Sequence, residues 1–323
     1  MKKGWKKANK PLVQIAEKRD IRYSDLVSLY RKDCEKRNIA EVTIKGYENA
    51  CRYFIKAIET DLYCNEITQA IIDNFVLALN KTGLKPTTVN SYQFKISPVI
   101  HFGIEKGYIK ETIVFNRVIE QEEIKEIYTI DELEKLLKRP KTKSFSLYRT
   151  WVIINTLVGT GIRSKELREL KIKNVDLKNQ IIILDHTKNR EGRLLPVSSS
   201  LYLVLQEYLD IRNGKMGEPL FCNIFGEPLA RTTLQDSVRK YCKNRGVNKT
   251  SVHLFRHTFI TMSVRKGVPP LLLKRITGHK TMKMLDHYYS FDISDIVNIV
   301  DDISPLEDIK IKSKHQFKRY NVK

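Results

Sequence analysis

What the chain lacks narrows its possible roles first. No stretch of about 18 or more apolar residues occurs, and the opening MKKGWKKANK leads into polar sequence instead of a hydrophobic signal core. Neither a membrane span nor a secretory leader is expected, and a soluble, cytoplasmic protein is. The five cysteines, Cys34, Cys51, Cys64, Cys222 and Cys242, are odd in number and contain no close pair spaced for zinc. A disulfide framework and a structural metal site are therefore not expected, and the five read as reduced, mostly buried thiols. A phosphate-binding glycine loop and a carboxylate metal cluster are missing too, as are internal repeats and low-complexity segments. Acidic charge is in deficit: 37 Asp and Glu stand against 58 Lys and Arg, a formal net charge of +21 spread from end to end. That exceeds what solubility needs and points to a polyanionic partner, nucleic acid before an anionic membrane. The absence of a lipid-facing apolar helix sets the membrane aside.

The length of 323 residues suits two domains, each able to bury a core. Residues 1–20 are a basic leader, either a DNA-binding arm or a solvated tail. Over 21–117 the apolar spacing is that of amphipathic helices. Ile44, Tyr47, Cys51, Phe54 and Ile58 make one stripe, and Ile71, Ile72, Phe75, Val76 and Leu79 another. Thr68 is placed to cap a third helix, Pro86 to open a fourth and Gly107 to stop it, with a kink expected at Pro98. A bundle of about four helices results. After a linker at 118–123, a second domain over 124–303 begins with the capping-box pair Thr129 and Glu132. It mixes a long apolar helix around Leu147 to Leu157, a strand pair at IIIL (181–184) and RLLPV (193–197), a short strand near Leu220, and further helices. Residues 304–323 form a tail.

Four clusters in the second domain can carry chemistry. In TGIRSKEL, Gly159 and Gly161 allow a sharp helix end, and Arg163 opens the next helix with Glu166 one turn on. Taken alone, Arg163 and Glu166 are also what a weak surface ion pair looks like. In TKNREGRLLPV, Lys188 sits in a turn between two strands, which equally describes a solvated hairpin tip. HLFRHTF places His253 and Arg256 on one helical face, followed by His257. ITGHKTMKMLDHYYS puts Tyr288 nine residues after His279, on a short helix, although a helical tyrosine is usually a packing residue.

Together, in this order and spacing, the four clusters resemble the tyrosine recombinase (phage integrase) family, and the preceding helical domain resembles its core-binding domain. The resemblance implies a mainly α fold with a small β-sheet in a mixed α+β catalytic domain. It also implies catalytic roles for Arg163, Lys188, His253, Arg256, His279 and Tyr288, with Glu166 and His257 at supporting positions. Phe255 and Thr277 stand where the family usually has leucine, a change of packing. Tyr289 adjoins Tyr288, and Arg190 and Arg193 compete with Lys188; spacing favours Tyr288 and Lys188.

These residue types suit phosphodiester transfer. Non-bridging oxygens gain negative charge in the transition state, and guanidinium, always protonated, grips two oxygens at once. A phenol with pKa about 10 needs help to lose its proton, from His253 or His279. Lys188 on its hairpin can protonate the departing 5' hydroxyl. Energy kept in a phosphotyrosine makes ATP and metal unnecessary, so no cofactor is expected. The resemblance further implies two domains clamping double-stranded DNA, four protomers on two recombination sites, an accessory DNA-bending or directionality factor, and a nucleoid-associated location. An apolar stripe at Ile296, Ile299, Val300 and Ile303 fits docking on a neighbouring protomer or on its own domain. The basic leader and the tail SKHQFKRYNVK lean toward integration or excision of a mobile element such as a phage or conjugative transposon. The alternatives are a catalytically silent DNA-binding protein, a chromosome-dimer-resolving recombinase and a type IB topoisomerase.

Overall fold

The computed structural model describes residues 20–119, 126–184, 192–286 and 288–289. The leader, the turn carrying Lys188 and Arg190, the stripe at 296–303 and the tail lie outside the described residues. The chain divides into two compact units, Met1–Ile124 and Lys125–Lys323. Among the described residues no helix is long and apolar enough to cross a membrane.

Among the described residues the first unit holds four α-helices, α1 (Tyr23–Lys36), α2 (Glu41–Ala57), α3 (Gln69–Lys81) and α4 (Pro86–Glu105). Each contributes one apolar stripe to a shared core: Leu26 from α1, Phe54 from α2, Phe75 from α3 and Ile96 from α4 are fully buried. Phe54 stands edge-on to both Tyr23 and Phe75, with centroids 5.1 and 5.0 Å away, the arrangement ring quadrupoles favour. The stripes read from the sequence hold, with Tyr47, Ile58, Ile71 and Val76 packed at the margin of that core. All five cysteines are buried and unpaired with one another. Pro86 opens α4, which continues through Pro98 to Glu105, and Gly107 follows with φ 72°.

Thr68 occupies the N-cap position of α3, but its side chain makes no cap bond. Glu111 does that work from the far side of α4, its carboxylate accepting the Gln69 N–H at 2.9 Å. The Gln69 amide then pairs with both backbone groups of Val114, and the Asn90 amide pairs in the same way with Val118. Two side-chain amides thus satisfy the backbone of the chain leaving this unit, which has no strand partner to do so.

The second unit opens with α5 (Ile130–Leu137), capped reciprocally by Thr129 and Glu132 as the sequence predicts. Its centre is α6 (Phe145–Thr160), whose Val152, Ile153, Ile154 and Leu157 are fully buried. A helix apolar on all sides must be covered on all sides. Packed on α6 are α5, α8 (Ser199–Arg212), α9 (Arg231–Asn244) and α10 (Val252–Arg265). After the short α7 (Ser164–Glu169) comes an antiparallel three-stranded sheet, β1 (Val175–Asp176), β2 (Ile181–Leu184) and β3 (Arg193–Pro196), in that order. Ile182 pairs with Val175 on one side and Leu195 on the other, and Ile182 and Leu195 are fully buried on the inner face. The strand expected near Leu220 does not form: Leu220 donates its N–H to Leu170 and accepts from the Tyr208 hydroxyl, beside an isolated bridge between Lys171 and Pro219. The two-residue β1, absent from the sequence reading, supplies the third strand instead. The chain ends its described part with α11 (Pro270–Thr277) and α12 (Lys283–Asp286). The fold is therefore mostly helical with a small sheet, as expected.

Candidate active site

Gly161 ends α6 with φ 61°, and a Cβ there would strike the Phe259 ring, so glycine is required on both counts. Gly159 lies within the helix and plays no such part. The sharp end delivers Arg163 to the N-cap of α7, where its backbone N–H and its guanidinium reach Glu166 at 3.0 and 2.9 Å. This is no surface pair. Glu166 also accepts two bonds from Arg193, at 2.8 and 2.7 Å, and the side chains of Glu166 and Arg193 are only 10% and 9% exposed. Four bonds saturate the carboxylate. Burial by itself would raise the Glu166 pKa, but the bonds and charge of Arg193, then of Arg163, hold it down to about 2.

Arg256 projects from α10 and is buried, donating to the carbonyls of Gly161 at 2.6 Å and Thr277 at 2.7 Å. Burial, then repulsion from Arg163 and Arg193, lowers it to about 9, still high enough to stay charged at neutral pH. Its Nη2 also lies 3.2 Å from Nε2 of His279. The protonation of that ring follows from its partners: the Thr277 hydroxyl donates its one proton to the Leu273 carbonyl, so its oxygen accepts from His279 Nδ1–H at 2.8 Å. Nε2 is then placed to accept from Arg256.

Tyr288 follows α12 in a turn, not on the short helix expected for it. Its hydroxyl hydrogen-bonds Nδ1 of His257, one residue after Arg256 on α10. Burial pushes the Tyr288 pKa up to about 12, opposed by the charge of Arg256, so the phenol carries its proton at neutral pH. Tyr289 turns elsewhere, its hydroxyl donating to the Val268 carbonyl at 3.0 Å among Ile260, Val264 and Leu273. His253 opens α10 and lines, with Arg163, a cleft of about 1130 Å³ whose walls also carry Arg168, Arg231, Arg239 and Lys280. Burial, then the charges of Arg256 and Arg231, lowers the His253 pKa and favours its neutral form.

The structure thus brings Arg163, Glu166, Arg256, His257, His279 and Tyr288 together and sets His253 on the adjoining cleft; Lys188 is outside the described residues. Sequence reasoning weighed Arg193 only as a rival to Lys188 and missed its ion pair with Glu166. The one signal available was its place at the start of an apolar strand, where a charge needs a buried partner.

The model of the phage integrase family matches residues 126–293, just over half of the chain, and that of the phage integrase SAM-like domain matches 25–118. Tyrosine recombinase XerC of Thermodesulfovibrio yellowstonii is 26% identical over 277 residues, covering 82% of this chain and 90% of that protein. Tyrosine recombinase XerA of Saccharolobus solfataricus is 29% identical over 265 residues, covering 79% and 84%. In fold, the chain is similar to the Tn1549 transposon integrase in complex with transposon right end DNA, with TM-score 0.71, 21% identity and coverage of 86% of this chain and 98% of that one. It is also similar to the XerH site-specific recombinase bound to a palindromic difH substrate, with TM-score 0.68, 22% identity and coverage of 85% and 84%. The chain belongs to the phage integrase family, the tyrosine recombinases, DNA strand-exchange enzymes that use a tyrosine nucleophile.

Proposed function

We propose that this protein is a site-specific recombinase that cleaves and rejoins duplex DNA through a 3'-phosphotyrosine at Tyr288. The observation that carries the reading is the Tyr288 hydroxyl held on His257, next in sequence to a buried Arg256 that shares the end of α11 with Arg163. The Tyr288 oxygen bonds to the scissile phosphorus while the bond from phosphorus to the 5' oxygen breaks. The phenolic proton passes to His257 Nδ1, and Lys188 supplies a proton to the leaving 5' oxygen. Arg163 and Arg256 stabilise the charge that develops on the non-bridging oxygens. His279 orients Arg256, Glu166 orients Arg163, and His253 faces the cleft through which DNA enters. Rejoining is the same step reversed with another 5' hydroxyl, so bond energy is conserved and neither ATP nor metal takes part. The basic cleft walls hold phosphates, and four protomers on two sites, with a DNA-bending or directionality factor, complete the exchange.

The basic leader and tail favour a mobile element as the source of the sites. The Xer relatives favour a second reading, resolution of chromosome dimers. Incubating wild type, Tyr288→Phe and Tyr289→Phe with fragments of the source genome, then recovering covalently bound DNA, tests both. Adducts lost only in Tyr288→Phe support the reading; element ends among the captured DNA select integration or excision, and a single chromosomal locus selects dimer resolution. Salt-sensitive binding without any adduct would point to a silent DNA-binding protein or to a missing accessory factor.

A further inference from the structure

Three arginines from three elements end on consecutive carbonyls at one helix terminus. Arg193, at the start of β3, donates Nε–H to Ile276 at 3.0 Å; Arg256, from α10, donates to Thr277 at 2.7 Å; Arg163, from the N-cap of α7, donates to Gly278. These are the last carbonyls of α11 and its cap, which have no partner within the helix and carry the negative end of its dipole. Gly278 takes φ 66°, and a Cβ on it would stand 2.7 Å from Nη1 of Arg193 and 3.1 Å from Nη1 of Arg163. The two guanidiniums therefore pass against this glycine, each bonded both to the helix end and to Glu166.

Like charges do not gather this way unaided. Two of the three guanidiniums bond the Glu166 carboxylate, and the charges of those two add to burial in lowering the pKa of the third, Arg256. The side chain of Arg193 is 9% exposed, and three of its nitrogens are engaged, two by Glu166 and one by Ile276. It is held at both ends of its guanidinium. What it does is tie the carboxylate that grips Arg163 to the helix end that grips Arg256.

We infer that Arg193 is a positioning residue for strand cleavage: with the terminal carbonyls of α11 it forms a template that presets Arg163 and Arg256 for the scissile phosphate. The inference rests on the strand-exchange reading. Pre-set donors need no reorganisation as charge develops, and misplacement by about 1 Å costs on the order of 100-fold in rate.

Two variants and two substrates test it. Arg193→Lys keeps the charge beside Glu166 but loses the planar fork and the bond to Ile276; Arg193→Gln keeps a donor for Ile276 but loses the ion pair. Each is folded alongside wild type, checked by circular dichroism and melting, and assayed in single turnover on a nicked duplex carrying the site recovered by covalent capture. One duplex has the natural scissile phosphodiester and the other a methylphosphonate, whose neutral methyl group removes charge the arginines must stabilise. The expected result is a loss of about 100-fold on the phosphodiester, a much smaller loss on the methylphosphonate, and unchanged DNA affinity. Equal losses on both substrates would mean that Arg193 only supports folding, and wild-type cleavage by both variants would mean that it does nothing for the arginines; either overturns the inference. No adduct from wild type on either duplex would instead overturn the strand-exchange reading, and this inference with it.

Discussion

The adjacent tyrosines differ in where their hydroxyls go, one to the His257 imidazole near Arg256 and the other to the Val268 carbonyl among apolar side chains. Tyr288→Phe is accordingly expected to abolish covalent adducts while binding DNA as wild type does, read by electrophoretic mobility shift and denaturing gels. Tyr289→Phe should keep cleavage and lose about 1 kcal/mol of stability, the worth of one partly buried hydrogen bond. His257→Ala should slow cleavage on the order of 100-fold or more, the usual contribution of a placed proton acceptor. The sequence showed which residues could meet, because motif order is a property of the chain. It did not show that His257 holds the phenol, or that His279 Nε2 meets Arg256, because those pairings are set by how α10, α11 and the turn after α12 pack.

Among the elements, α7 and β3 meet through Glu166, and the electrostatics of that contact depend on pH. The Glu166 carboxyl, at 4.5 when unperturbed, sits at about 2 in the folded protein. Its contribution is therefore fully present above about pH 4.5, shrinks as pH falls from there, and is gone below about 2. The size is on the order of 3 kcal/mol. Urea unfolding between pH 6 and 2, as approximate limits, should show a steeper loss of stability in wild type than in Glu166→Gln. At the same junction, Gly161→Ala should cost roughly 1–3 kcal/mol from its left-handed backbone alone. Elements with local signals were readable in advance: the Thr129 capping box, Pro86 at the head of α4 and the apolar runs IIIL and RLLPV on either side of a turn. Those without were not. Thr68 looks like a cap, but Glu111 takes its place across α4, and β1 is two residues long, too short to show a period.

For the molecule as a whole, the net charge of +21 and the cations around the 1130 Å³ cleft imply binding that weakens steeply with salt. Each of Arg231→Ala and Arg239→Ala should lower the slope of log affinity against log salt by about 1, if each grips one phosphate; anisotropy titrations at several salt concentrations measure this. Cleavage itself should be unchanged by excess chelator and by the absence of ATP. The most direct test of the account is to trap the adduct on a nicked duplex carrying the captured site, digest it, and locate the attached nucleotide by mass spectrometry. A nucleotide joined through its 3' phosphate to the Tyr288 oxygen is the expected result. Attachment to Tyr289 or to another residue, or cleavage with no attached protein, would contradict it.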